Sequence, residues 1–171
     1  MGFLKLIVKQ EANYKYLKNA VNYIIENADA CFYSGINICP ERAYKQMRKV
    51  KKYFGKTSGN QLVHFVVCFN NEVDDLATSE RYARKIAEYY KSRYQILYAI
   101  HQELRYTKSG YGKSWFHVHI IMNSVSFVGG KMFADNKKNI VRFINHISKV
   151  TGDERWNLRY GDNKSAEFHD S

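Results

Sequence analysis

The run Trp115-Phe116-His117-Val118-His119-Ile120-Ile121-Met122-Asn123 constrains the fold more than any other part of the chain. Side chains of an extended strand alternate between two faces, so His117, His119, Ile121 and Asn123 share one face and Phe116, Val118, Ile120 and Met122 share the other. Two imidazoles therefore point the same way from a rigid element, as the ligands of one divalent cation must. On the preceding apolar stretch, Tyr94 to Glu103, the same alternation puts His101 and Glu103 on a common face.

If these two strands pair across the polar segment Arg105 to Ser114, His101 comes beside His117 and His119. Three imidazoles leave coordination positions open, and open positions mean catalysis rather than structure. Glu103 then stands where it can accept a hydrogen bond from a ligating imidazole and fix its tautomer. Asn123 is expected to contact a phosphate or to orient a ligand. His64, His146 and His169, taken singly, read as ordinary core or surface residues.

The other elements follow from periodicity. Phe3 to Val8 reads as a strand, and an Asn13-led helix through about Glu26 carries Leu17, Ala20, Val21, Ile24 and Ile25 on one stripe. Ser34-Gly35 reads as a break. A second helix opens at Pro40 and runs to Gly55, Thr57 to Asn60 is a turn, and Leu62 to Phe69 is a strand. Thr78 is expected to cap a third helix through about Lys91, and a last helix spans roughly Lys138 to Val150. The order β-α-α-β-α-β-β-α points to an α+β fold, a central antiparallel β-sheet packed with α-helices. A chain of 171 residues, 45% hydrophobic, supports one domain, residues 1–171, whether whole or a piece of a longer protein.

Lys and Arg outnumber Asp and Glu by 27 to 16, and a net charge of +11 on so small a domain draws in polyanions. The segment from Arg105 through Lys108 to Lys113 is cationic, aromatic and tethered to both histidine-bearing strands, which suits single-stranded nucleic acid. So does the stretch Arg42 to Lys56, where seven cations, Lys51 among them, interleave with Tyr44, Tyr53 and Phe54. Gly110 to Ser114 lacks the four-residue spacing of a nucleotide-binding loop. Three unpaired-looking Cys residues and the lack of an 18-residue apolar run point to a reducing cytoplasm and no membrane segment.

Several of these residues together carry a family likeness. The ordered set His101, Glu103, His117-Val118-His119 and Asn123-Ser124-Val125 resembles the third motif of plasmid mobilization relaxases, a His-hydrophobic-His endonuclease class. Val63 to Phe69 resembles that family's His-Phe-x-x-Ser-Phe strand, and Gly129-Gly130-Lys131-Met132-Phe133 resembles its Gly-Lys turn. Val21-Asn22-Tyr23-Ile24, followed by Ser34 to Asn37, resembles the segment bearing the nucleophilic tyrosine. The likeness spans about residues 17–145. Glu103 stands for the usual Asp, Cys68 stands for Ser, the His101 to His117 interval is long, and the Lys-Thr pair after the tyrosine segment is absent.

The resemblance implies a relaxase-like fold and a metal-dependent DNA relaxase that nicks one strand at an origin of transfer through a 5′-phosphotyrosine. It implies Tyr23 as nucleophile, with Tyr16, Tyr14 and Tyr33 as competitors, and Lys131 as a nucleic-acid contact. Its partners would be single-stranded DNA with an adjacent hairpin, and accessory mobilization proteins. The working metal would be Mn or Mg, with Zn, Ni or Co also binding three imidazoles in a test tube. Two alternatives stand beside it: a rolling-circle replication initiator of the same class, and a non-catalytic nucleic-acid-binding module. Initiators place their tyrosine after the histidine strand, where this chain has only Tyr160 beyond Asn123.

Overall fold

The computed structural model describes residues 2–7, 13–27, 29–70, 72–106, 108–110 and 112–161. In chain order the elements are β1 (Gly2–Ile7), α1 (Tyr14–Glu26), β2 (Ala30–Ile36), α2 (Ala43–Tyr53), β3 (Leu62–Cys68), α3 (Leu76–Ala87), β4 (Ile96–Tyr106), β5 (Gly112–Asn123), α4 (Lys137–Thr151) and β6 (Trp156–Gly161). The six strands form one sheet in the order β2-β4-β5-β3-β1-β6. The expected α+β class, a central sheet packed with helices, is the observed one. Every pairing is antiparallel except that of β1 with β6, which is parallel.

The sheet carries a helical layer on each face. On one side Val118, Ile120 and Met122 of β5 pack with Phe65, Ile86, Ile140, Phe143 and Ile147, so that α3 and α4 bury their apolar stripes there. On the other side Leu17, Ala20, Val21 and Ile24 of α1 and Met47 of α2 pack on Leu97, Ala99 and Ile121. The histidines lie on this second side.

Caps begin the helices. The Asn13 side chain accepts from the Tyr16 backbone N–H at 2.8 Å, starting α1 as expected. For α3 the cap is Asp75 rather than Thr78. The Asp75 carboxylate accepts from Thr78 N at 2.7 Å, which starts the helix three residues earlier. Pro40 opens a short 3-10 turn (Pro40–Arg42) that leads into α2.

Three expectations need correction. Ser34-Gly35 does not break the chain: it lies within β2, which pairs with β4 along Ile36↔Ile96 and Tyr33↔Ala99 at the sheet edge. The segment Arg105 to Ser114 is not a long open loop, because β4 and β5 continue pairing outward to Tyr106↔Gly112. Beyond the last helix, Trp156–Gly161 adds a strand beside β1 that periodicity does not predict, and Tyr160 lies in it. Val8, Thr107, Tyr111 and His169 fall outside the described residues.

Candidate functional site

The β4–β5 register sets His101 directly opposite His117, and Ala99 opposite His119. The His101 and His119 ring centres are 4.4 Å apart, His117 and His119 5.0 Å, and His101 and His117 5.4 Å. One nitrogen from each lies within 4.8 Å of the others, and all three side chains are buried. The expected three-histidine grouping is thus a geometric fact of the hairpin.

The nitrogens left over are held by the protein. His101 Nε2–H donates to the Ile24 carbonyl of α1 at 2.9 Å, which leaves Nδ1 with its lone pair toward the cluster. His119 Nδ1 meets His64 Nε2 of β3 at 2.9 Å, and His119 Nε2 is buried without a hydrogen-bond partner. An orphaned imidazole nitrogen beside two further imidazoles is costly without a ligand and is satisfied by a cation. The residues present therefore fit a divalent metal. Burial pushes the His117 imidazole down to about 3 and His119 well below its ordinary value, with the neighbouring imidazoles adding to both. His101 is lowered too, mainly by burial. All three are neutral at pH 7, the state in which imidazole ligates metal.

His64, read from the sequence as an ordinary core residue, belongs to this site. It pairs in register with Ile121, one step diagonal from His119 on the same sheet face. Glu103 lies opposite Trp115, and its carboxylate is 3.8 Å from His117 Nδ1 and 3.3 Å from the Arg105 guanidinium. At 3.8 Å this is a charge contact rather than the expected hydrogen bond; the carboxylate is shared with Arg105, and its charge also acts on His101.

Tyr23 projects from α1 over the cluster. Its ring centre is 5.7 Å from that of His119 and 6.1 Å from that of His101, and the side chain is 39% exposed. One helical turn tethers both parts of the site, since the next residue, Ile24, carries the carbonyl that holds His101. Burial, then the charges of Asp29 and Glu103, raise the Tyr23 phenol above its ordinary value of 10.0. Among the competitors, Tyr16 is buried in the α1–α2 core and Tyr14 stacks under the Arg48 guanidinium at 4.2 Å. Tyr33 is exposed and pairs with Ala99 on the histidine face.

The expected DNA contacts separate into three groups. Arg105 and Lys113 are cross-strand partners on the histidine face, and Arg105 stacks on Trp115 at 3.8 Å. Lys108 is exposed at the hairpin turn. Lys131 is exposed but lines a cleft with Tyr89, Tyr94 and Phe133, on the side of α3 and α4. It follows a turn that needs glycine: Gly130 has φ +68°, and a Cβ there would collide with the Phe54 ring.

Asn123 requires correction. It is fully buried, its Nδ2 donating to Met47 O at 3.2 Å and to Gln95 Oε1 at 3.0 Å. Its Oδ1 accepts from Lys51 Nζ at 2.5 Å. Lys51, counted with the phosphate-facing cations of α2, is likewise buried and also donates to Ser124 Oγ at 2.9 Å. These residues tie α2 to the end of β5 and have no surface to offer a strand.

The family model for the MobA/VirD2-like relaxase nuclease domain matches residues 16–154. No curated protein sequence matches the chain. A solved structure from a study of the molecular basis of vancomycin resistance transfer in Staphylococcus aureus is similar with a TM-score of 0.55. It covers 95% of this chain and 98% of its own, at 13% identity, a likeness of fold.

Proposed function

The chain belongs to the MobA/VirD2-like relaxase nuclease-domain family, and from that premise we propose that it cuts and rejoins one DNA strand through Tyr23. The observation that carries this reading is the Tyr23 ring lying 5.7 Å from that of His119, half open to solvent above three neutral imidazoles.

In the step proposed, the Tyr23 oxygen attacks a phosphorus in line with the departing O3′. The Tyr23–phosphorus bond forms as the phosphorus–O3′ bond breaks, and the phenol's proton is balanced by the one taken up at the released 3′-hydroxyl. The 5′ end is stored as an ester, so the reverse attack by a 3′-hydroxyl restores the strand. His101, His117 and His119 would hold a divalent metal, which would supply charge withdrawal at the phosphate and lower the cost of the phenolate. His64 and the Ile24 carbonyl orient His119 and His101, and Glu103 acts on His117 from its shared position with Arg105. Mn or Mg is the metal proposed for the cell.

Single-stranded DNA approaches along the outer hairpin, where Arg105, Trp115 and Lys113 extend the histidine face and Lys108 follows at the turn. Arg105 and Lys113 stand opposite each other on the two strands, a spacing that suits contact with phosphates of one strand. The nicked sequence would be an origin of transfer, with an adjacent hairpin and accessory mobilization proteins, in the cytoplasm. No described helix is long and apolar enough to cross a membrane. The six-stranded sheet is read as a single nuclease domain.

The test is strand transfer. Mn²⁺ and a labelled single strand from the protein's own mobile element should give a cut product, and a second oligonucleotide with a free 3′-hydroxyl should then be joined to the stored 5′ end. Cleavage with no transfer to any acceptor would replace this reading with simple hydrolysis.

A further inference from the structure

On the side of the sheet away from the histidines, the segment 89–94 that follows α3, the turn after β5 and the start of α4 enclose a cleft of about 710 Å³. Its aromatic lining is Tyr89, Tyr90, Tyr94 and Phe133; its charged lining is Arg93, Lys131 and Arg142. Asn136 and Asn139 add amide groups, and none of the described lining residues is a carboxylate. Asp135, between two lining residues, is itself exposed and outside the lining.

Three further features bear on what this cleft holds. Tyr89 remains 38% exposed although its ring packs on Tyr90 at 4.8 Å and on His146 at 4.8 Å, so the aromatic surface is braced from behind and open in front. The Tyr90 hydroxyl is buried with no hydrogen-bond partner. The N-terminus of α4 opens here with no acidic residue in its first turn, and Lys137 and Lys138 follow its Asn136 cap. A helix start is the positive end of the helix dipole, so lysines there add charge of the same sign rather than offsetting it.

We propose that this cleft is a second binding site for single-stranded DNA, with bases against Tyr89 and Phe133 and phosphates against Arg93, Lys131 and Arg142. Stacking surface with interspersed cations is the chemistry that holds a single strand without reading its sequence. A protein partner of ordinary mixed charge would leave three cations facing no acid, whereas a phosphate backbone pairs with each of them. The site lies across the sheet from the cutting site, so it would hold a part of the strand that is not being cut. The inference rests on the reading that the ligand is single-stranded DNA.

The probe is fluorescein-labelled oligothymidylate carrying 5-iodouracil substitutions, measured against the wild type, Tyr89→Ala and the triple variant Arg93→Gln/Lys131→Gln/Arg142→Gln. Tyr89→Ala should weaken binding roughly tenfold, as loss of one stacked base implies. The triple variant should reduce the slope of log affinity against log salt by about 2, since each phosphate contact to a single strand contributes about 0.7. Irradiation of the wild type should join the oligonucleotide to peptides containing Tyr89 or Phe133, and both variants should keep wild-type Mn²⁺ affinity and melting temperature. Affinity and slope unchanged in both variants, with photoadducts confined to the Arg105–Trp115 hairpin, would overturn the second site while leaving single-stranded DNA as ligand. A wild type that fails to bind oligothymidylate would overturn that reading together with this one.

Discussion

His64 Nε2 lies 2.9 Å from His119 Nδ1 across the β3–β5 ladder, so an imidazole on a neighbouring strand holds the imidazole at the centre of the histidine cluster. With His119 Nδ1–H donating to His64 Nε2, the lone pair of His119 Nε2 is left toward His101 and His117. Removing such a support typically costs 10–100-fold in metal affinity. His64→Ala should therefore weaken Mn²⁺ binding by about that factor in calorimetry, while His64→Gln, whose side-chain carbonyl can still accept from His119 Nδ1–H, retains part of it. The double variant His117→Ala/His119→Ala sets the floor, with stoichiometric binding abolished. Wild-type affinity in His64→Ala would mean that His64 is only a core residue.

The outer hairpin gives a separable expectation. Arg105 and Lys113 face the same side as the histidines, one cross-strand pair beyond Glu103 and Trp115 on that face. Arg105→Gln/Lys113→Gln should keep stoichiometric Mn²⁺ binding and lower the salt slope of single-strand binding by roughly 1.4, two phosphate contacts at about 0.7 each. An unchanged slope would move the path of the strand elsewhere.

Lys51 makes a prediction about pH. Burial pushes its amine down from 10.5 to about 7. Between those values the unfolded chain binds more protons than the folded one, so this group's contribution to stability improves as pH rises from about 7 toward 10. Below pH 7 the cost of burying the charge is present in full, on the order of 5 kcal/mol. Lys51→Met lacks the titrating group, so the wild type should gain on it in urea unfolding as pH is raised through that window. Parallel stability curves for the two proteins would contradict the account.

Much of this site was legible in the sequence because it sits on strands whose alternation is unambiguous. His101, His117 and His119 needed only two adjacent antiparallel strands to meet, and the β4–β5 hairpin supplies them. What escaped depended on pairings between segments distant in the chain. His64 becomes part of the site only because β3 lies beside β5, fifty-five residues on, and no local pattern marks it. The strand β2 carries Ser34-Gly35 and a register shift between Ala30 and Phe32, so its edge pairing hides behind turn-like residues. The strand β6, Trp-Asn-Leu-Arg-Tyr-Gly, has weak apolar alternation and is ordered by parallel pairing with β1 at the far end of the chain. Asn123 and Lys51 look like surface chemistry in text, yet each supplies what the other needs when buried: a carbonyl for an amine.

The central claim is that Tyr23 becomes joined to DNA, and the most direct measurement is mass spectrometry of the protein after incubation with Mn²⁺ and a single-stranded substrate from its own mobile element. The phenol starts from a raised pKa, through burial and then through Asp29 and Glu103, so adduct formation should increase with pH over the neutral to mildly alkaline range. Tyr23→Phe removes only the hydroxyl of a side chain that packs on His119 and His101 through its ring. It should keep the fold, the metal affinity and the binding of DNA, and lose the adduct entirely. In the wild type the nucleotide should be found on the peptide containing Tyr23. An adduct on Tyr33 or another tyrosine, or one that persists in Tyr23→Phe, would contradict the assignment.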